Sequence, residues 1–104
     1  MGLLDIFGFG GNKIKDALRR GAVIIDVRTA HEFDQGKIKG SINIPVDRID
    51  INLERIRQMK KPVITCCSSG TRSADAAHYL RSRGISEVHN GGSWQSVLRK
   101  IQSL

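Results

Sequence analysis

Residues 62–73 read Pro62-Val63-Ile64-Thr65-Cys66-Cys67-Ser68-Ser69-Gly70-Thr71-Arg72-Ser73. Val63–Cys66 is a short apolar run with β-branched residues, which predicts a buried strand. Small polar residues around Gly70 then predict a loop. Ser73–Arg83 predicts a helix, with Ala76, Ala77 and Leu80 on one face and Gly84 at its end. Strand, small-residue loop and helix start together make an anion cradle, because backbone N–H groups point inward and the helix dipole adds positive potential. A cysteine at the strand's end sits in that potential and loses its proton more readily.

The flanking sequence repeats the alternation. Upstream, Lys13–Arg20 carries Ile14, Ala17 and Leu18 at helical spacing and stops at Gly21. Ala22–Val27 is a continuous apolar run of the kind found inside a parallel sheet. Asp26 near its end is a carboxylate that needs partners. Thr29 and Glu32 are spaced as a capping box, so a short helix runs from there to Gly36. Ser41–Ile44 predicts a brief strand closed by Pro45. Asp47–Lys60 predicts one helix, with Ile49, Leu53 and Ile56 on its apolar face and Pro62 barring its continuation. Downstream, Glu87–Asn90 predicts a strand before Gly91-Gly92. Ser93 caps a last helix with Trp94, Val97, Leu98 and Ile101 inward.

Alternation of helix and strand predicts an α/β fold: a three-layer sandwich, its small, mostly parallel central sheet of four to five strands covered by helices on both faces. Ligands of such sheets bind at the carboxyl ends of the strands. The turns after Val27, Cys67 and Asn90 all emerge at that edge.

Composition narrows the function. The chain has 104 residues, suited to one domain, which we place at residues 12–104. Residues 1–11 read as an apolar arm ending in Gly10-Gly11, too short for a membrane span and lacking the basic start of a signal peptide. The two cysteines are adjacent and cannot staple distant segments, so a reducing, cytoplasmic setting is expected. They also lack the spacing of a zinc ligand pair, so no metal is expected. The net charge of +7 favours anionic ligands. The basic residues are scattered, mostly at helix ends, and five aromatic residues offer no stacking platform, which argues against nucleic acid. His31, His78 and His89 read as surface or boundary residues.

Cys67-Ser68-Ser69-Gly70-Thr71-Arg72-Ser73 resembles the active loop of the rhodanese (sulfurtransferase) family, with glycine third after the cysteine, arginine fifth, then serine. Asp26-Val27-Arg28, Glu32-Phe33, Gly36, Ile38, Gly40 and Ile44-Pro45 resemble the family's first signature segment. Gly91-Gly92 and Trp94 are similar to its closing turn. The likeness covers residues 21–98. It implies a transferase without a cofactor. Cys67 takes the outer sulfur of thiosulfate or another persulfide donor and passes it to cyanide or a thiol. Ser68, Ser69, Gly70, Thr71, Arg72 and Ser73 then form the substrate cradle, with Arg72 closing the loop and attracting the anionic donor. Asp26, Arg28 and Glu32 are supports, Arg28 and Glu32 pairing to hold the first loop. The chain departs from the family pattern at Ser68, where many members carry a charge, at Lys37 in place of histidine, and at Ser41 in place of alanine. The family's usual first strand is hard to find before Lys13.

Two other readings stay open at this point. Counted from Cys66, the loop is Cys-x5-Arg-Ser, similar to cysteine-dependent phosphatases and arsenate reductases, whose wider cradle fits a tetrahedral anion. Against it, Gly70 then falls fourth, and Thr65 stands where those enzymes carry histidine. A sulfur carrier without turnover, or a partner-binding module, is the other. Cys66 itself, pointing to the opposite face from Cys67, reads as a core residue. The sharper alternative makes it a resolving thiol.

Overall fold

The computed structural model describes residues 11–104, so the N-terminal arm lies outside the described residues except for Gly11. Helix α1 (Gly11–Arg19) leads into strand β1 (Val23–Asp26), followed by α2 (Ala30–Gln35) and β2 (Ile42–Asn43). Two single-turn 3-10 segments, Val46–Arg48 and Asp50–Asn52, precede α3 (Leu53–Met59). Strand β3 (Val63–Cys67), α4 (Thr71–Ser82), β4 (Val88–Ser93) and α5 (Trp94–Gln102) complete the chain.

The four strands form one sheet in the order β2-β1-β3-β4, and every neighbouring pair is parallel. Register places Val23 beside Val63 and Asp26 beside Cys66, while Val63 also pairs with Val88. The expected α/β sandwich is therefore present, its sheet having four strands among the described residues.

Alternation along β3 divides the interior into two cores. Val63 and Cys67 join Ile25, Val27, Ile44, Ile49, Ile56, Ala76, Ala77 and Leu80 on one side. Ile64 and Cys66 join Ile14, Ala17, Ile24, Ile38 and Val97 on the other. Successive strand residues point to opposite faces, so neighbouring cysteines belong to different cores.

The long helix expected over 47–60 is broken. Polar side chains between Asp47 and Leu53 compete for the backbone: Asp50 Oδ1 accepts the Ile51 N–H at 2.8 Å, and Asn52 Nδ2 donates to the Arg48 carbonyl at 2.9 Å. Such local bonds favour tight turns over a regular helix. Only Leu53–Met59 is α-helical, and it ends at Lys60 in the left-handed region, φ +54°.

At the other end of the sheet, Gly91 lets β4 bulge past β3. The register shifts between Thr65 and Cys67, the latter pairing with Ser93. A Cβ on Gly91 would lie 2.5 Å from Val97 Cγ2 and 2.9 Å from the Thr65 carbonyl oxygen. Only glycine fits there. Gly91 and Gly92, expected as a turn after the strand, thus lie within β4, which continues through the bulge to Ser93. The bulge, a device that commonly re-aims a strand's end, brings Gly92 beside Gly70 in the loop after β3.

Candidate active site

The loop after β3 folds its amides around the Cys67 sulfur. Gly70 N–H donates to Sγ at 2.9 Å and Ser73 N–H at 3.4 Å. The Ser73 hydroxyl lies 3.4 Å from Sγ. Gly70 turns with φ +104°, a left-handed conformation that lets the chain reverse into α4. The helix begins at Thr71, two residues earlier than its spacing predicts, so Arg72 and Ser73 occupy the first turn. Without an intrahelical partner in that turn, the Ser73 N–H turns to the sulfur at the strand end.

The cradle is braced from three sides. Thr65 Oγ1 donates to the Ser73 carbonyl at 2.8 Å. Ser73 Oγ donates to Asn90 Oδ1 at 2.6 Å, and the same oxygen accepts Gly92 N–H at 3.0 Å. Asn90 Nδ2 reaches the Gly70 carbonyl at 3.4 Å. Asn90 thus ties active loop, helix start and closing turn together. Sequence reasoning placed the turn after Asn90 at this edge but gave its side chain no role. A polar residue at a strand's carboxyl end, just before Gly91-Gly92, was the available signal.

Charge in the cradle separates the two thiols. Burial pushes Cys67 up, but the Ser73 hydroxyl and the N–H groups of Ser73, Gly70 and Ser69 together outweigh it, leaving Cys67 below its ordinary value. Cys66 goes the other way. Burial raises it strongly, and the Asp26 carboxylate adds to that. Cys66 is fully buried in the core behind the sheet, outside the cradle. Both cysteines are free.

The supporting residues are arranged differently from expectation. Arg28 does not pair with the Glu32 carboxylate. Its guanidinium forms a buried ion pair with Asp26, Nη2 to Oδ2 at 2.7 Å and Nε to Oδ1 at 2.9 Å. Its remaining N–H groups donate to the Glu32 carbonyl at 3.2 Å and the Gly36 carbonyl at 2.6 Å. Asp26 is the nearer acid because both residues sit at the end of β1, and burial demands a paired charge. Trp94 stacks on the guanidinium, 5.0 Å from centroid to Cζ.

Glu32 is left for the active loop. It completes the expected capping box, accepting Thr29 N–H at 2.9 Å. It also accepts from both Arg72 terminal nitrogens, at 2.7 and 3.0 Å, across a separation of 40 residues. Arg72 holds its carboxyl well below the usual carboxylate range. Ser68 joins this cluster, its hydroxyl accepting from Arg72 at 2.5 Å. Ser69 and Thr71 are exposed. The structure therefore gathers Cys67, Ser68, Gly70, Arg72, Ser73 and Glu32 at one edge, with Asp26 and Arg28 bracing it from behind.

The expected surface or boundary histidines are such. His31 and His78 are exposed, and His89, half-buried, contacts Glu87 at 2.8 Å. Among the described residues no three His, Cys, Asp or Glu side chains converge as metal ligands, and no helix is long and apolar enough to cross a membrane. A groove of about 500 Å³ lies at the opposite end of the sheet, lined by Arg20, Arg57, Lys60, Lys61 and Glu87 among others.

Comparison with known proteins agrees with this fold. Residues 12–99 match the family model described as a rhodanese-like domain. The YqhL protein of Bacillus subtilis is 41% identical over 71 residues, a match covering 68% of this chain and 56% of that protein. Thiosulfate sulfurtransferase GlpE of Pseudomonas fluorescens is 38% identical over 76 residues, covering 71% of this chain and 68% of that one. The solved structure of the human single-domain sulfurtransferase TSTD1 is 27% identical with a TM-score of 0.67, covering 86% of this chain and 92% of that one.

Proposed function

The chain belongs to the rhodanese-like family, and from that premise we propose that it transfers sulfane sulfur through a persulfide on Cys67. The observation that carries this reading is the focus of main-chain N–H donors on Cys67 Sγ, with the Ser73 hydroxyl beside it. They favour the thiolate, which is the nucleophile. Cys67–S⁻ attacks the outer sulfur of thiosulfate. The S–S bond of the donor breaks, sulfite leaves with the electron pair, and Cys67–S–S⁻ remains. Cyanide or a thiolate then takes the terminal sulfur, and Cys67 regains its thiolate. This is covalent catalysis in two transfers.

In this reading the amides of Ser69, Gly70 and Ser73 receive the negative charge, as an oxyanion hole does for oxygen. Ser68, Thr71 and Arg72 frame the entrance. The buried Asp26–Arg28 pair fixes the edge on which Glu32 and the loop rest. A reducing, cytoplasmic setting suits two free neighbouring thiols. The phosphatase reading loses its support, since Cys66 is buried in the opposite core with its thiol pushed up.

Intact-mass measurement after thiosulfate treatment tests the proposal. One added sulfur is expected, absent in Cys67→Ser and kept in Cys66→Ala. Thiosulfate-to-cyanide turnover accompanies it in an enzyme, whereas a stable persulfide without turnover marks a carrier. Sulfur retained in Cys67→Ser sinks the assignment.

A further inference from the structure

Arg72 is the cation at the mouth of the cradle, yet its guanidinium is already occupied by an anion from its own chain. Both Glu32 carboxylate oxygens accept from it, at 2.7 and 3.0 Å. The carboxylate is not a loose surface acid. Thr29 N–H and Thr29 Oγ1 donate to Glu32 Oε1 at 2.9 and 3.1 Å, anchoring it in the capping box of α2. Ser68 Oγ accepts from Arg72 and lies 3.4 Å from Glu32 Oε2. The result is a latch across the loop, between α2 and the first turn of α4. Beneath it Cys67 is fully buried, whereas the Arg72 and Glu32 side chains are 33% and 35% exposed. An anion approaching this exposed edge of the loop meets an ion pair, not a free guanidinium.

We propose that Glu32 sets donor choice: it holds Arg72 as an internal counter-ion that a small dianionic donor must displace, so the site favours singly charged thiol persulfides over thiosulfate. This rests on the Cys67 persulfide reading. The chemistry after entry is the same for both donors. Cys67–S⁻ takes the outer sulfur, the donor's S–S bond breaks, and sulfite or a thiolate carries off the electron pair. What differs is the charge brought to the mouth. A pair of net charge zero offers a dianion far less than a free guanidinium does, and the neighbouring carboxylate repels two charges more than one. Glu32 acts through Arg72, so it is a positioning residue.

Glu32→Gln separates charge from scaffold, because the amide oxygen still accepts from Thr29 while the charge on Arg72 is released. Loading of Cys67 is followed by intact mass in single turnovers against donor concentration, with thiosulfate and with cysteine persulfide, whose ammonium and carboxylate cancel to leave one net negative charge. For thiosulfate we expect the half-saturating concentration to fall about fivefold or more, on the order of what one screened unit charge near 4 Å supplies. The change lies in that concentration rather than in the maximal rate. For cysteine persulfide it moves less than about twofold. Glu32→Asp, which keeps the charge, stays close to the native thiosulfate value, and added salt narrows the difference between native and Glu32→Gln protein. Equal losses of maximal rate with both donors, or unchanged half-saturation with thiosulfate, overturn the proposal. Native protein that gains no sulfur on Cys67 from either donor instead removes the persulfide reading itself.

Discussion

Two opposed influences meet at Cys67. Its side chain is fully buried, which favours the neutral thiol, yet N–H groups and the Ser73 hydroxyl hold it below its ordinary value. Removing the Ser73 hydroxyl shifts the balance toward burial. Ser73→Ala deletes the hydroxyl while leaving the Ser73 N–H and the Thr65 bond to the Ser73 carbonyl in place. The thiol of that variant titrates higher than in the native protein. The pH dependence of iodoacetamide alkylation of Cys67 reads this directly. Its midpoint moves upward, and the rate near neutral pH falls while the limiting alkaline rate is kept. An unmoved midpoint would show that the amides alone set the thiolate.

The elements place that sulfur through one tight crossing. Gly91 of β4 passes so close to β3 and α5 that any Cβ meets Val97 Cγ2, Ile64 Cγ2 and the Thr65 carbonyl, all at 2.9 Å or less. Gly91→Ala must push the strand away from the Thr65–Cys67 segment, and overpacking of this kind costs about 1–3 kcal/mol. Gly21→Ala is the matched control. Its φ of +86° is strained for alanine, but nothing lies within 4 Å of the added Cβ. Thermal melting should show the larger loss for Gly91→Ala, accompanied by slower Cys67 alkylation, since the cradle is displaced with the bulge. Equal melting losses with normal alkylation would mean that the crossing yields freely. Features of this crossing mark what could be read in the sequence. The first three strands, the Thr29–Glu32 box and the thiol at the strand's end are local patterns over a few residues and appear where their spacing puts them, whereas β4 runs on through Gly91-Gly92, where a turn was expected. The Arg72–Glu32 bond joins residues 40 apart, and nothing in their spacing says which cation Glu32 will choose. Arg28 was the nearer candidate, but burial beside Asp26 claimed it. Asn90 was silent for the same reason, its partners Ser73 and Gly70 lying 17 and 20 positions away. The interrupted 47–60 segment failed differently: its apolar spacing is helical, but Asp50 and Asn52 compete locally for the backbone.

For the molecule as a whole, α1 is tied to the far edge of the sheet by charge. Arg20 donates to both Glu87 oxygens across 67 residues, and His89 contacts the same carboxylate at 2.8 Å. Bonding to Arg20, and next to His89, lowers Glu87 from its ordinary 4.5 to about 2. Glu32 at the opposite end of the strands is lowered in the same direction by Arg72. A carboxyl whose pKa is depressed on folding binds protons more weakly in the folded state than in the unfolded chain. Its contribution to stability is therefore fully present above the unfolded pKa and is lost as pH falls through the folded one. For Glu87 that window runs from about 4.5 down to about 2. Both ion pairs are partly exposed, so each contribution is modest and weakened by salt. Urea midpoints measured at a series of pH values should be level at neutral pH and decline once pH drops below 4.5. Glu87→Gln should start from a lower neutral midpoint and decline less steeply over the same range. Glu32→Gln should flatten the curve in the same sense, and in the double variant the two changes should add, since the sites lie at opposite ends of the sheet. A Glu87→Gln profile parallel to the native one throughout would show that the Arg20–Glu87 bond contributes nothing measurable, and that α1 is held to the sheet by its apolar face of Ile14 and Ala17 alone.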